Sequence, residues 1–429
     1  MQYASFTSVN SASATDALVS TKSITLILVA SVTYQTILAF IHTHFFHVSA
    51  FTVAASEFLI YLGCVLVLAK YIRLEFVAIV TLVLAYLLVL SIFRNALEIK
   101  GFRDVMIPLL FYWLGRHVGD VKYADGLLKK LVVVVLIFGF FELFFLDLYT
   151  RLLDIFSYYV STGTVTVATN FIKGSALNLN GMRPEGIGRT ILPSLLGSHR
   201  ISSVFLEPVS LGNFAVITAA WGLSKSREEY KLGLFFWLSA IILIALSDSR
   251  YGLIVVTLLT VMRFVVGRQL NIVAIVLPFL SILGLILIGL YAHTGLADNI
   301  MGRLFWTGNT LLTFNIEKIF GIQGFNIPYG DMGYAYLLSR WGIVLCITLW
   351  GALWMIKMSD ERGNRFRAYA ALYIALILTV SGTSFFALKT AGLLWFLMGC
   401  CIYRNQKAAG IEQRSATSTM PGHELNYAH

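Results

Sequence analysis

Residues 272–292 are twenty-one consecutive positions without a charge. A helix rises 1.5 Å per residue, so about twenty apolar residues cross the ~30 Å hydrocarbon core of a bilayer. A run of that length has no comfortable place in a small soluble core. Eleven further apolar runs lie near 23–41, 48–69, 76–93, 104–119, 128–149, 203–223, 232–248, 251–267, 332–356, 366–386 and 388–403. The breaks between them are polar, as in RNALEIKGFR, SKSREEYK and KMSDERGNRFR. The expectation is an all-α, polytopic integral membrane protein of about twelve transmembrane helices. Composition agrees. The chain is 58% apolar and 13% charged, against about 45–50% and 25% in soluble domains. A soluble enzyme of this size and a disordered chain are both excluded.

Basic residues orient the spans, because cytoplasmic loops collect Lys and Arg. With the N-terminus inside, cytoplasmic pieces hold nineteen of the 32 basic residues. Among them are Lys22, Lys70, Arg116, Lys122, Lys225, Arg263, Arg362 and Arg404. The net charge of +10 then reads mainly as span anchoring, with no call for nucleic acid. Residues 1–22 are expected to be a cytoplasmic N-terminal tail and 404–429 a cytoplasmic C-terminal tail. Residues 23–403 form one helical membrane domain. That orientation leaves two long segments outside, 150–202 and 292–331. Connections of that length are usually functional or disordered. Their aromatic and glycine content predicts short helices and turns folded over the outer mouth of the bundle. The four cysteines (Cys64, Cys346, Cys400 and Cys401) sit in apolar runs without metal-ligand spacing. They read as packing residues.

An ionisable group in or beside a span is costly and marks function by default. The stretch His199-Arg200-Ile-Ser-Ser-Val-Phe-Leu-Glu207-Pro208 puts an Arg at the membrane entry and a carboxylate at the start of a helix. Arg200 can fork onto a phosphate. Glu207 can pair with a cation or accept a proton, and His199 is a second candidate base. The turn Ser247-Asp248-Ser249-Arg250 places Arg250 at the outer boundary, where an interfacial Arg snorkelling to headgroups is the plainer reading. Asp331, in GDMGY, fits a helix N-cap or a carboxylate at the mouth, with Tyr334 one turn below. Arg340, two turns further in, must face protein, with Glu207 or Glu57 as its expected partner. Arg183, Arg189, Arg303, Lys318 and Lys389 complete a set of cations that could attract an acidic ligand. Walker, HExxH and GxSxG patterns are absent, and MRPEGIGRT has no flanking strand to make it a nucleotide loop.

In this order, RISSVFLEPVSLGNF, LSDSRYG and FGIQGFNIPYGDMGYAYLLSRWGI resemble the Wzy-type polysaccharide polymerases of the O-antigen polymerase and ligase superfamily. The layout is also similar to the polymerases of xanthan-like exopolysaccharide clusters. The motif resemblance covers about residues 200–345, and the layout the whole chain. It implies a metal-independent glycosyltransferase of the bacterial inner membrane. Such an enzyme moves a growing glycan from undecaprenyl pyrophosphate to a new lipid-linked repeat at the periplasmic face. No nucleotide sugar and no other cofactor is required. Partners implied are the lipid-linked oligosaccharide, membrane lipids, a flippase and a chain-length regulator. On that resemblance Arg200 and Arg250 hold the departing pyrophosphate, and Asp331 or Glu207 is the base. His199, Arg303, Tyr334 and Arg340 would contact substrate. Two departures stand out. NIPYGDMGY lacks the His that ligases of the superfamily tend to show there, which favours a polymerase. Gly212 lies one residue beyond the RX10G spacing from Arg200. A ligase, or a flippase of lipid-linked oligosaccharides, fits the span number equally well. Two long outer segments favour chemistry at that face.

Overall fold

The computed structural model describes residues 6–69, 74–166, 189–265, 270–292, 300–323 and 329–402, with side chains from 21 onward. The helices are α1 Phe6–His44, α2 Ala50–Ala69, α3 Leu74–Arg94, α4 Ile99–Val118, α5 Val121–Phe144, α6 Leu146–Leu152, α7 Ile155–Ser161, α8 Pro193–Leu196 and α9 Pro208–Ser224. They continue as α10 Tyr230–Ser247, α11 Arg250–Val265, α12 Leu270–Tyr291, α13 Ile300–Leu312, α14 Ile316–Ile319, α15 Gly333–Met355, α16 Glu361–Ile377 and α17 Leu388–Cys400. No strand occurs among the described residues. A helix stands at each of the twelve apolar runs. By length and composition, six among the described residues can cross a membrane: Thr21–His44 of α1, with α2, α3, α10, α12 and α15. The chain is a helical membrane-embedded protein. The first helix begins at Phe6, upstream of the expected boundary at Lys22.

Local chemistry sets the helix ends. Asp120, Asp154, Asn315 and Asp360 cap α5, α7, α14 and α16 by accepting from backbone N–H groups of the first turn, which would otherwise lack partners. Gly119 closes α4 in the left-handed region, which glycine enters without Cβ strain. At Phe145 the chain turns by 112° from α5 into α6 and α7. These two short helices, with α8, α13 and α14, lie in or beside the long connections at one end of the bundle, here the loop end. The opposite end holds Arg116, Lys122, Lys225 and Arg362, here the basic end.

Helices α9, α16 and α17 form the centre and are buried on nearly every face. Close approach uses glycine pairs: Gly115 with Gly399 where α4 crosses α17, and Gly222 with Gly233 between α9 and α10. A Cβ on Gly115 would overlap the Phe396 carbonyl oxygen. Small residues serve this purpose in membranes because lipid already satisfies apolar surface, so close packing has to supply the attraction.

One helix is broken. Inside α15, Gly342 adopts φ 68°, where a Cβ would overlap the Phe320 carbonyl at the end of α14. The break frees carbonyls that apolar surroundings cannot satisfy. Arg94 donates to Arg340 O at 2.9 Å and to Gly321 O at 2.5 Å, and the Tyr86 hydroxyl donates to Trp341 O at 2.9 Å.

Candidate functional site

Two polar layers meet near the loop end. The first gathers on the α10–α11 turn. Ile201 N–H donates to Leu246 O at 3.0 Å, which lays the 189–206 segment across the end of α10. Arg200 Nε donates to Ser247 O at 3.1 Å. Arg189 donates to Ile191 O, His199 O, Leu246 O and, by a very short contact, Ala245 O. A guanidinium on the last carbonyls of a helix satisfies groups the helix leaves open and opposes its dipole. Asp248, left-handed at φ 50°, returns the tie. Its Oδ1 accepts from Thr190 N at 3.0 Å, Thr190 Oγ1 at 2.8 Å and Ile191 N at 2.8 Å. Arg250 then opens α11, half-buried, with no hydrogen bond or ion pair to any described residue. Structure therefore brings Arg200 and Arg250 to one turn. Arg189, weighed only as one of several loop cations, is the residue that fastens it. His199 is buried there, and burial with the neighbouring Arg189 charge pushes its imidazole down to about 4. It is neutral at pH 7, and its Nε2 has no hydrogen-bond partner among the described residues.

Glu207 lies beyond this turn, at the N-cap position of α9. Its Oε2 accepts from Ser210 Oγ at 2.9 Å and faces Lys389 Nζ at 3.2 Å. Lys389, buried at the start of α17, also donates to Gln35 Oε1 and Phe205 O, each at 2.8 Å. The turn that presents Glu207 is strained, with Ser203 at φ 52° and Leu206 at φ 58°. Such backbone persists only where its surroundings over-determine it. Here the buried carboxylate of Glu142 does so, accepting from Ser202 N at 2.9 Å and Ser203 N at 2.6 Å. Tyr149 Oη adds a bond to Ser203 O at 2.9 Å.

The second layer joins α1, α2, α4 and α15. Arg103 bonds Asp104 Oδ1 at 2.8 Å and stands 3.7 Å from Glu57. Tyr336 donates to Asp104 Oδ2 at 2.5 Å, and Tyr34 to Glu57 Oε1 at 2.8 Å. Arg340 is buried and faces protein, as its cost in lipid demands. Its partner is Glu98, in place of Glu207 or Glu57, with the Tyr336 ring 4.5 Å from its guanidinium. The reason is register: Gly101, three residues after Glu98, packs against Arg340 and Trp341.

The remaining candidates are more dispersed. Asp331 is exposed and lies 3.8 Å from Arg303 Nη1. It caps nothing, because α15 begins two residues later, at Gly333, and Met332 occupies the N-cap position. Tyr334 donates to Ala375 O at 2.9 Å. Lys318 is on α14 above the Phe314 ring. Arg183 lies outside the described residues.

Sequence reasoning passed over Glu142, Asp104 and Glu98. The first two sit within apolar runs, and the cost of an ionisable group in a span would have singled them out. A Ser157–His42 pair at 3.0 Å resembles a nucleophile and its base. However, Val48 N–H donates to His42 Nδ1 at 3.1 Å, so in the neutral ring Nε2 carries the proton and cannot accept one from Ser157. No known protein family matches this chain, and no curated protein or solved structure shows significant similarity to it.

Proposed function

We propose that this chain is a twelve-span polymerase of lipid-linked oligosaccharides, acting at the loop end of its bundle on the outer face of a bacterial inner membrane. The observation that carries this reading is the joint placement of Arg200 and Arg250 on the α10–α11 turn. A basic turn at the end of an apolar helical bundle suits a substrate with an apolar anchor and an anionic link to its sugar. An acceptor hydroxyl attacks the anomeric carbon of the donor glycan. The bond from that carbon to the pyrophosphate oxygen breaks, and negative charge develops on the pyrophosphate. Fixed guanidinium groups stabilise such charge without reorganising. Arg200 is oriented by Ser247 O, while Arg250 has its guanidinium uncommitted to described residues. Of the carboxylates, Glu207 is engaged by Lys389 and Ser210, which suits it to shaping the site. Asp331 is accessible beside Arg303 and suits the acceptor's proton.

A strain deleted for this chain should accumulate single repeats on the lipid carrier, outside and without polymer. Accumulation on the cytoplasmic side would replace this reading with a flippase. Complementation with Arg250→Ala should restore membrane protein but leave long polymer reduced by about a hundredfold or more, the scale of losing one such charge-stabilising group. Arg250→Lys should also be poor, because an ammonium lacks the planar fork. Full-length polymer from either variant would remove Arg250 from the mechanism.

A further inference from the structure

A cavity of about 590 Å³ runs along α15. Its other walls come from α3, α4, α12, α16 and α17, so it is a groove between helices and not a convex lipid-facing surface. Its lining is apolar, with Arg116 the one charged residue, and that side chain is occupied by Glu75 at 3.4 Å. The walls follow α15 from Tyr334 at the loop end, past Trp341 and Cys346, to Met355 at the basic end. At 1.5 Å per residue that distance is about 30 Å, the full hydrocarbon thickness of a bilayer. The α15 N-terminus is tied to α16 by Tyr334 N to Leu378 O at 3.0 Å.

Length identifies the occupant. A phospholipid acyl chain belongs to one leaflet and covers about half of that thickness, ~15 Å. A groove walled over the whole depth suits one hydrocarbon chain longer than a leaflet. Its loop end also lies near a basic group. Lys100, on the first turn of α4, sits 5.5 Å from the Tyr336 ring. We propose that the α15 groove holds the polyisoprenyl chain of the lipid-linked substrate, with its phosphate end toward Lys100 at the loop end. This rests on the polymerase reading for the identity of the substrate, though not for the length of the chain.

The test measures binding to the purified full-length protein in detergent, with undecaprenyl phosphate and the much shorter farnesyl phosphate as probes. Added apolar length is favourable per buried methylene, so undecaprenyl phosphate should bind on the order of tenfold or more tightly. Ala352→Trp fills the far half of the groove at an exposed position. It should remove most of that advantage and leave farnesyl phosphate within about twofold of wild type, the scatter expected of an uninvolved site. Ala352→Ser controls for folding. Equal affinity for the two probes, an unchanged advantage in Ala352→Trp, or equal competition by phosphatidylglycerol would each overturn the proposal. The binding readout requires no polymer. Failure here and failure of the polymerase reading, scored on lipid-linked sugars in the deletion strain, are therefore separate results.

Discussion

The cleanest apolar run and the centre of the bundle are different regions. Helix α12 is the charge-free stretch, yet only 11% of its spanning window is buried within the protein. Helices α9, α16 and α17 are shorter, and α16 carries several charges, yet they are buried on almost all sides. In water the most apolar helix would be the most central. In a bilayer, lipid and protein interior are equally apolar, so apolarity ceases to choose between them. Small residues and pairable charges choose instead. Gly115, Gly222 and Gly399 let backbones meet in the centre, and Lys389 with Glu207 can lie there because each neutralises the other.

Substitutions can break that contrast. Lys389→Met leaves the half-buried Glu207 without its cation and should cost about 1–3 kcal/mol, less than the loss of one partner of a fully buried pair, seen as loss of folded protein in detergent. Replacing the pair together, Lys389→Met with Glu207→Leu, should recover much of that loss. A double variant as unstable as the single would show that the ion pair organises the centre beyond balancing its own charges. Gly115→Val should cost about 1–3 kcal/mol or more, since a Cβ there meets backbone that cannot yield. Thermal aggregation midpoints would measure it, and Gly284→Val, at a glycine with open space around it, is the comparison.

A smaller effect sits at the α10–α11 turn. His199 has a folded pKa lowered from 6.5 to about 4. The unfolded chain therefore binds more protons between those values. Its contribution is complete above about 6.5 and is lost as pH falls toward 4. The melting midpoint should decline over that window, and His199→Gln should flatten part of the decline. An identical slope in the variant would assign the acid sensitivity elsewhere. At the periphery, Leu280→Ala on α12 changes a lipid-facing side chain and should alter stability by about 0.5 kcal/mol or less. A loss of several kcal/mol would mean that α12 packs against a second chain.

Much of the architecture was legible because helix length and charge-free runs are local properties. Each apolar run from 23–41 to 388–403 carries a helix, and six of the helices are long and apolar enough to cross a membrane; α16, by contrast, starts in a polar stretch at Glu361 and ends at Ile377, inside the 366–386 run. The short helices α7, α8, α13 and α14 lie in the two long connections. The site was legible in pieces. Arg200, Arg250 and their turn stood out as charges beside spans. Glu142 and Asp104 obeyed the same rule inside runs, but nothing local tells which buried charge has a partner. Asp331 read as an N-cap from the residues around it, whereas the N-cap of α15 falls one position later, at Met332.

Sequence by itself determined that this chain lives in a membrane as helices, because desolvating a backbone without internal hydrogen bonds costs too much for any other apolar form of this length. Tertiary structure decided which helices are central and which charges are neutralised by whom. Arg340 meets Glu98, Lys389 meets Glu207, and Glu142 meets the backbone of Ser202 and Ser203. Those pairings join residues from about 60 to more than 240 positions apart in the chain. An ion pair depends on distances of a few ångströms, which separation along the chain does not encode.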